Sequence, residues 1–184
     1  MSSVEEPLKS SHPAVVLMGM SGAGKTWFMD QALAMHPGVF TAVSQTKSTI
    51  KGGFTFTHNW EYHKEALPRA LKTGKVVIVD RNHLTRSHRA SVRNATEGKI
   101  LFVVFSFPRM VLERNISHRF KTQFGSHPIT RYPEMVPGLL DWQEETWYHV
   151  YPDELRPVSG DEIVYINNHP DMRDLLGKLP TFFD

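Results

Sequence analysis

The sequence predicts an α/β domain: a parallel sheet of about five strands with helices on both faces. Three observations point to it. Short apolar runs alternate with longer segments of helical spacing, the pattern of strand–helix–strand crossovers. Residues 19–26 read Gly19-Met20-Ser21-Gly22-Ala23-Gly24-Lys25-Thr26, the phosphate-loop pattern G-x-x-x-x-G-K-[ST] set between an apolar run and a helical segment. A later apolar run, Val76-Val77-Ile78-Val79, closes on the carboxylate of Asp80.

Residues 1–13 are polar and read as a disordered lead without the apolar stretch of a secretory signal, and residues 14–184 as one domain. Ala14 to Met18 is the first buried strand, and a helix follows from Thr26 to Leu33. Pro37-Gly38 marks a turn before a second strand, Val39 to Val43. Asn59 to Lys72 carries Trp60, His63, Leu67 and Leu71 at helical spacing and is closed by Gly74. Val76 to Asp80 is the third strand, Ser87 to Thr96 a helix, and Ile100 to Phe105 the fourth strand. Pro108 suits the first turn of a helix reaching about Lys121. A loop with Gly125, Pro128 and Pro133 leads to a helix from Pro133 to Tyr148, whose aromatics are read as its apolar face. Glu162 to Ile166 is the last strand, and Pro170 to Lys178 the last helix. Right-handed crossovers leave few ways to wind such a chain. The fitting one is a three-layer, P-loop kinase-like domain with an arginine-bearing lid. Ligands belong at the carboxyl ends of its strands, where Gly19, Asp80 and Ser106 to Pro108 fall.

Composition narrows the class. The chain has 184 residues, 40% hydrophobic and 22% charged, as in soluble globular proteins. No apolar run approaches the roughly 20 residues of a membrane helix. There are no cysteines, which excludes disulfides and zinc–thiolate sites and fits an intracellular, reducing setting. A net charge of +2 demands no nucleic-acid partner, but arginines crowd two segments: Arg81, Arg86, Arg89 and Arg93, then Arg109, Arg114, Arg119 and Arg131. His58 and His63 lack the spacing of a metal pair.

The phosphate loop predicts the donor half of a phosphoryl transfer. Gly19, Ser21, Gly22, Ala23, Gly24, Lys25, Thr26 and Trp27 are the candidate nucleotide-binding residues: the glycines let the loop turn tightly and aim N–H groups at an anion at the start of a helix, and Lys25 reaches the β- and γ-phosphates. The Thr26 hydroxyl and the Asp80 carboxylate are candidate Mg²⁺ ligands. Transfer needs positive charge on the moving oxygens, for which Arg114 and Arg119 are the candidates. Arg81, Asn82, His83 and Arg89 are placed to meet an acceptor. Neither a guanine-reading Asn-Lys-x-Asp nor an Asp-x-x-Gly after the third strand is present, so a GTP-type switch is disfavoured.

The phosphate loop together with Val-Val-Ile-Val-Asp80-Arg81-Asn82-His83 and Arg89 resembles the kinase domain of fungal-type tRNA ligases, over roughly residues 14–150. That family's lid motif has its nearest counterpart in Phe124-Gly125-Ser126-His127-Pro128-Ile129. The resemblance implies a polynucleotide kinase that uses ATP or GTP and Mg²⁺ to phosphorylate the 5′-hydroxyl of RNA or an oligonucleotide. Ligase or phosphatase partners would be separate chains. One departure stands out. Polynucleotide kinases carry a general-base aspartate just after the second strand, whereas this chain reads Ser44-Gln45-Thr46-Lys47-Ser48-Thr49, with no acid between Asp30 and Glu61. Asp80 is then the remaining candidate base, as in the nucleoside kinases, where an acid–Arg pair follows the third strand. Two further readings stay open: a small-molecule nucleoside or nucleotide kinase using Asp80, and a nucleotide- or RNA-binding protein without transfer activity.

Overall fold

The computed structural model describes residues 14–44, 60–82, 86–96, 100–124, 137–145 and 162–183. In chain order these form β1 (Ala14–Gly19), α1 (Lys25–Met35), β2 (Phe40–Ser44), α2 (Trp60–Leu71), β3 (Val76–Asp80), α3 (Arg86–Ala95), β4 (Ile100–Phe105) and α4 (Arg109–Phe124). There follow α5 (residues 137–145), β5 (Glu162–Ile166), α6 (His169–Lys178) and a 3₁₀ turn, Leu179–Phe182. The strands form one sheet in the order β2-β3-β1-β4-β5, and every pairing is parallel.

The sequence dictates why both faces are covered. β1, β3 and β4 are buried along their whole length, as continuous apolar runs require. Successive side chains of β1 point to opposite faces. Val15 and Leu17 pack with Phe28 and Met29 of α1, Leu112 and Ile116 of α4, and Leu175 and Leu176 of α6. Ala14, Val16 and Met18 pack on the other side with Leu67 of α2 and Val92 of α3. β5, at one edge, is exposed at Glu162 and Tyr165, half-buried at Ile163 and Val164, and fully buried only at its final Ile166.

The expected elements are found, with adjustments that bear on the site. β2 lies one residue later than the apolar run suggests and so includes Ser44, which stands in register with Asp80. α2 contains Pro68, which has no N–H to offer the carbonyl of Lys64. α4 continues past Lys121 to Phe124. The aromatic face expected on α5 is corrected at Trp142, which is 57% exposed, while Leu140 and Gln143 turn inward. The lead, the lid counterpart at Gly125 to Ile129, His83 and the stretch Gln45 to Thr49 lie outside the described residues. Among the described residues no helix is long and apolar enough to cross a membrane.

Candidate active site

The site forms where β1, β2 and β3 end. Gly19 closes β1, opposite Phe105 of β4, at φ +146. A Cβ there would stand 2.8 Å from the Phe105 carbonyl oxygen, so only glycine lets the loop leave the sheet at this point. The Gly19 N–H donates to the Asn82 carbonyl at 3.1 Å, which ties the start of the loop to the segment after Asp80. The loop then turns into α1, whose first residue is Lys25.

Two hydroxyls converge on one oxygen of Asp80. Thr26 Oγ1 donates to Asp80 Oδ2 at 2.8 Å, and Ser44 Oγ donates to the same atom at 2.9 Å. Asp80 is 3% exposed and Ser44 is 5% exposed, so their bond is shielded from water, while Thr26 is half-buried and its bond is partly shielded. The Thr26–Asp80 contact brings a hydroxyl and a carboxylate together at the foot of the loop, a hard-oxygen pair that suits Mg²⁺. Among the described residues no cluster of three His, Asp or Glu side chains is present. A cation here would therefore rely on water and substrate oxygens for its other ligands, as Mg²⁺ at phosphate sites does.

The Lys25 ammonium folds back over the loop and donates to the carbonyls of Gly19 and Met20, each at 2.8 Å. It is buried, and desolvation draws its pKa from 10.5 down to about 8. The Asp80 charge opposes that shift, and the Arg119 charge adds to it.

α4 braces the loop from the other side. Asn115 Nδ2 donates to the Gly22 carbonyl at 2.9 Å. A Cβ on Gly22 would lie 2.7 Å from the Leu112 carbonyl oxygen and 2.9 Å from Ile116 Cγ1. Leu112, Asn115 and Ile116 thus define the face of α4 turned to the loop, and by helical spacing Arg119 shares it. Arg114 does not. Both arginines are exposed, and five residues along a helix means a rotation of roughly 140° between them. The two arginines thus stand on different faces of α4, with Arg119 on the side of the loop.

α5 also reaches the loop. Ser21 N–H donates to Gln143 Oε1 at 2.7 Å, and Gln143 Nε2 donates to Ser21 Oγ at 2.9 Å. Arg109 of α4 holds α5 through Asp141 at 2.6 Å and Glu144 at 2.9 Å, and pairs with Glu113 of its own helix at 2.8 Å.

The acceptor-side candidates divide. Arg81 is 9% exposed and Arg89 is 7% exposed, so neither stands out as a surface charge. Burial lowers the Arg81 pKa from its ordinary value. Asn82 takes part through its backbone, and Trp27 lies 44% exposed beside Thr26. Sequence reasoning missed Ser44, Asn115 and Gln143. Ser44 carried a signal, as the residue closing the strand beside the Asp80 strand. The other two carried none, since Gln143 lies 122 residues from the serine it contacts.

No protein-family model matches the chain, and no curated protein matches it by sequence. Solved structures do match. A gluconokinase from Sinorhizobium meliloti superposes with a TM-score of 0.54 at 20% identity, covering 93% of this chain and 94% of its own. A sugar kinase from a Janibacter species gives 0.52 at 20% identity, with the same coverage of both chains. Shikimate kinase from Acinetobacter baumannii gives 0.50 at 15% identity, covering 92% of each. The five-stranded parallel sheet, its order and its glycine-rich loop before α1 make this the fold of the P-loop kinases.

Proposed function

We propose that the chain is a phosphotransferase moving the γ-phosphoryl of a nucleoside triphosphate, ATP or GTP, to a hydroxyl of a small-molecule acceptor. The observation that carries it is the convergence of Thr26 and Ser44 on Asp80 Oδ2, with the Lys25 ammonium buried in the adjoining loop. This joins the donor half of the reaction to the only carboxylate that sequence reasoning found for the acceptor half. Lys25 and the loop amides hold the β- and γ-phosphates. Thr26 and Asp80 would hold Mg²⁺, which when bound offsets phosphate charge. Asp80 accepts the proton of the attacking hydroxyl. Arg119 offsets charge on the transferring group.

The acceptor class follows from two supports. The similar folds include a gluconokinase, a sugar kinase and a shikimate kinase, all named for small hydroxylated acceptors. Arg81 and Arg89 are buried, which suits the grip of one compact acceptor better than a run of strand phosphates. A second reading, phosphorylation of an RNA or oligonucleotide 5′-hydroxyl, draws on the Asp80-Arg81-Asn82-His83 stretch and its resemblance to tRNA ligase kinase domains.

One experiment separates them: transfer of labelled γ-phosphate to a panel of sugars, sugar acids and nucleosides, beside 5′-hydroxyl RNA. Turnover on a small acceptor, abolished by Lys25→Ala and Asp80→Ala, is the expected result. Turnover on RNA alone moves the assignment to a polynucleotide kinase. Tight nucleotide binding without transfer to any acceptor moves it to a binding protein.

A further inference from the structure

The contact between Gln143 and Ser21 has no part in the chemistry above, yet it is among the best-made polar contacts in the molecule. Gln143 is 2% exposed, and both ends of its amide are used on one residue. A buried primary amide that finds no partner is costly, so a site that closes both ends on a loop residue fixes that loop in one arrangement. The helix carrying it is itself secured. Arg109 bonds Asp141 and Glu144, the residues two before and one after Gln143. α5 therefore presents the amide at a set height and angle to the phosphate loop. Ser21 is the third residue of the motif, and its N–H turns to Gln143. The Ala23 N–H closes the turn on the Met20 carbonyl at 3.4 Å, so among the described residues the amides of Gly22, Gly24, Lys25 and Thr26 are those left for an anion.

We propose that Gln143 is a positioning residue for nucleotide binding: it holds Ser21 so that the phosphate loop is shaped for an anion before the nucleotide arrives. The inference rests on the nucleotide-binding reading of the loop. Preorganised donors bind more tightly because less order is lost on binding. Gln143 touches no reacting atom and acts only through Ser21.

The test uses the full chain and ADP with Mg²⁺ as the probe. Gln143→Met keeps the length and apolar stem and removes both bonds. It should weaken ADP affinity about tenfold, as expected for a buried polar partner lost. It should also speed hydrogen exchange at the Ser21 amide, because that N–H loses its acceptor. Gln143→Glu keeps an acceptor for Ser21 N–H, so it should retain Ser21 protection while its negative charge weakens ADP binding. A merely structural role would lower the melting temperature of Gln143→Met and leave both ADP affinity and Ser21 exchange near wild type. That outcome overturns the proposal. If Gln143→Met does not fold, a folded Gln143→Glu protein decides: an unprotected Ser21 amide overturns the proposal, and a protected one upholds the contact. Should the wild-type chain bind no ADP, the nucleotide-binding reading falls, and Ser21 exchange in the two variants still decides whether Gln143 fixes the loop.

Discussion

Ser44 Oγ donates to Asp80 Oδ2 at 2.9 Å, from the register-paired last residues of two adjacent parallel strands. Where polynucleotide kinases set an acid just beyond the second strand, this chain sets a hydroxyl on that strand's end that orients the third strand's acid. The two strand ends thus share a single carboxylate. Thr26 holds the same oxygen from the loop side, and among the described residues Oδ1 accepts no hydrogen bond. A carboxylate fixed at one oxygen can offer the other in a defined direction, as a general base requires.

The corresponding prediction separates orientation from chemistry. Asp80→Asn should lower kcat at least about a hundredfold, the lower range for loss of a general base. Ser44→Ala removes one charge-assisted bond and should lower kcat about tenfold with little change in ADP affinity. Steady-state kinetics on the identified acceptor, with calorimetric ADP binding, checks both. A Ser44→Ala enzyme with wild-type kcat contradicts the positioning role.

Much of this arrangement was legible in the sequence because local patterns carry it. The loop, its flanking strand and helix, and the strand ending in Asp80 are each contiguous, and β3, β4 and β5 fall where their apolar runs place them. Ser44 was one residue from legible: the apolar run stops at Val43, while pairing with β3 extends β2 to include the serine. Gln143 and Asn115 were not legible, because no local pattern marks a polar side chain that contacts a loop 122 or 93 residues away. Arg114 and Arg119 are the opposite case: their charge is visible in the sequence, but which face of α4 meets the loop is set by Leu112 and Ile116 packing, a tertiary choice.

Lys25 should impose a pH dependence. In the folded protein its pKa is about 8, chiefly through desolvation; in the unfolded chain it stays near the ordinary 10.5. Between these values the unfolded chain binds more protons, so unfolding free energy rises with pH across that window. Below it both states are protonated, and the cost of burying the charge is felt in full. Nucleotide phosphates favour the charged lysine, so ADP binding at pH 8 should take up about half a proton, and affinity should fall as pH rises further. Calorimetry in buffers of different ionisation enthalpy measures the uptake, and Lys25→Met should abolish it. Arg119→Gln should move the midpoint upward, since the Arg119 charge helps to lower it.

Gly22→Ala tests the brace between α4 and the loop. The backbone sits at φ +81, where a side chain is strained, and the new Cβ would meet the Leu112 carbonyl oxygen at 2.7 Å. That neighbour is helix backbone and cannot turn aside. The combined strain and overlap should cost about 3 kcal/mol of stability. ADP binding should be lost in whatever fraction stays folded, because relief of the clash moves the loop off α4. Chemical unfolding with parallel ADP titration reads both effects; a variant as stable as wild type contradicts the packing described.

The Arg109 cluster predicts a salt-sensitive contribution. Its guanidinium pairs with Glu113, Asp141 and Glu144, and these bonds raise its pKa above the ordinary value. The side chain is 35% exposed and Asp141 is 63% exposed, so solvent and ions screen part of the attraction. Three carboxylates around one planar cation nevertheless form a network, in which removing the cation also leaves like charges facing one another across α4 and α5. Arg109→Met should therefore lower the melting temperature at low salt. Its deficit against wild type should narrow as salt rises toward 1 M, where the screening length falls to about 3 Å. The isolated Lys178–Asp174 pair, with both side chains 64% exposed, is the control: Asp174→Asn should change the melting temperature little at any salt. Because Arg109 holds the helix that carries Gln143, Arg109→Met should also weaken ADP binding in parallel with its loss of stability. If ADP affinity stays at the wild-type value while the melting temperature falls, α5 keeps its place on the loop without Arg109.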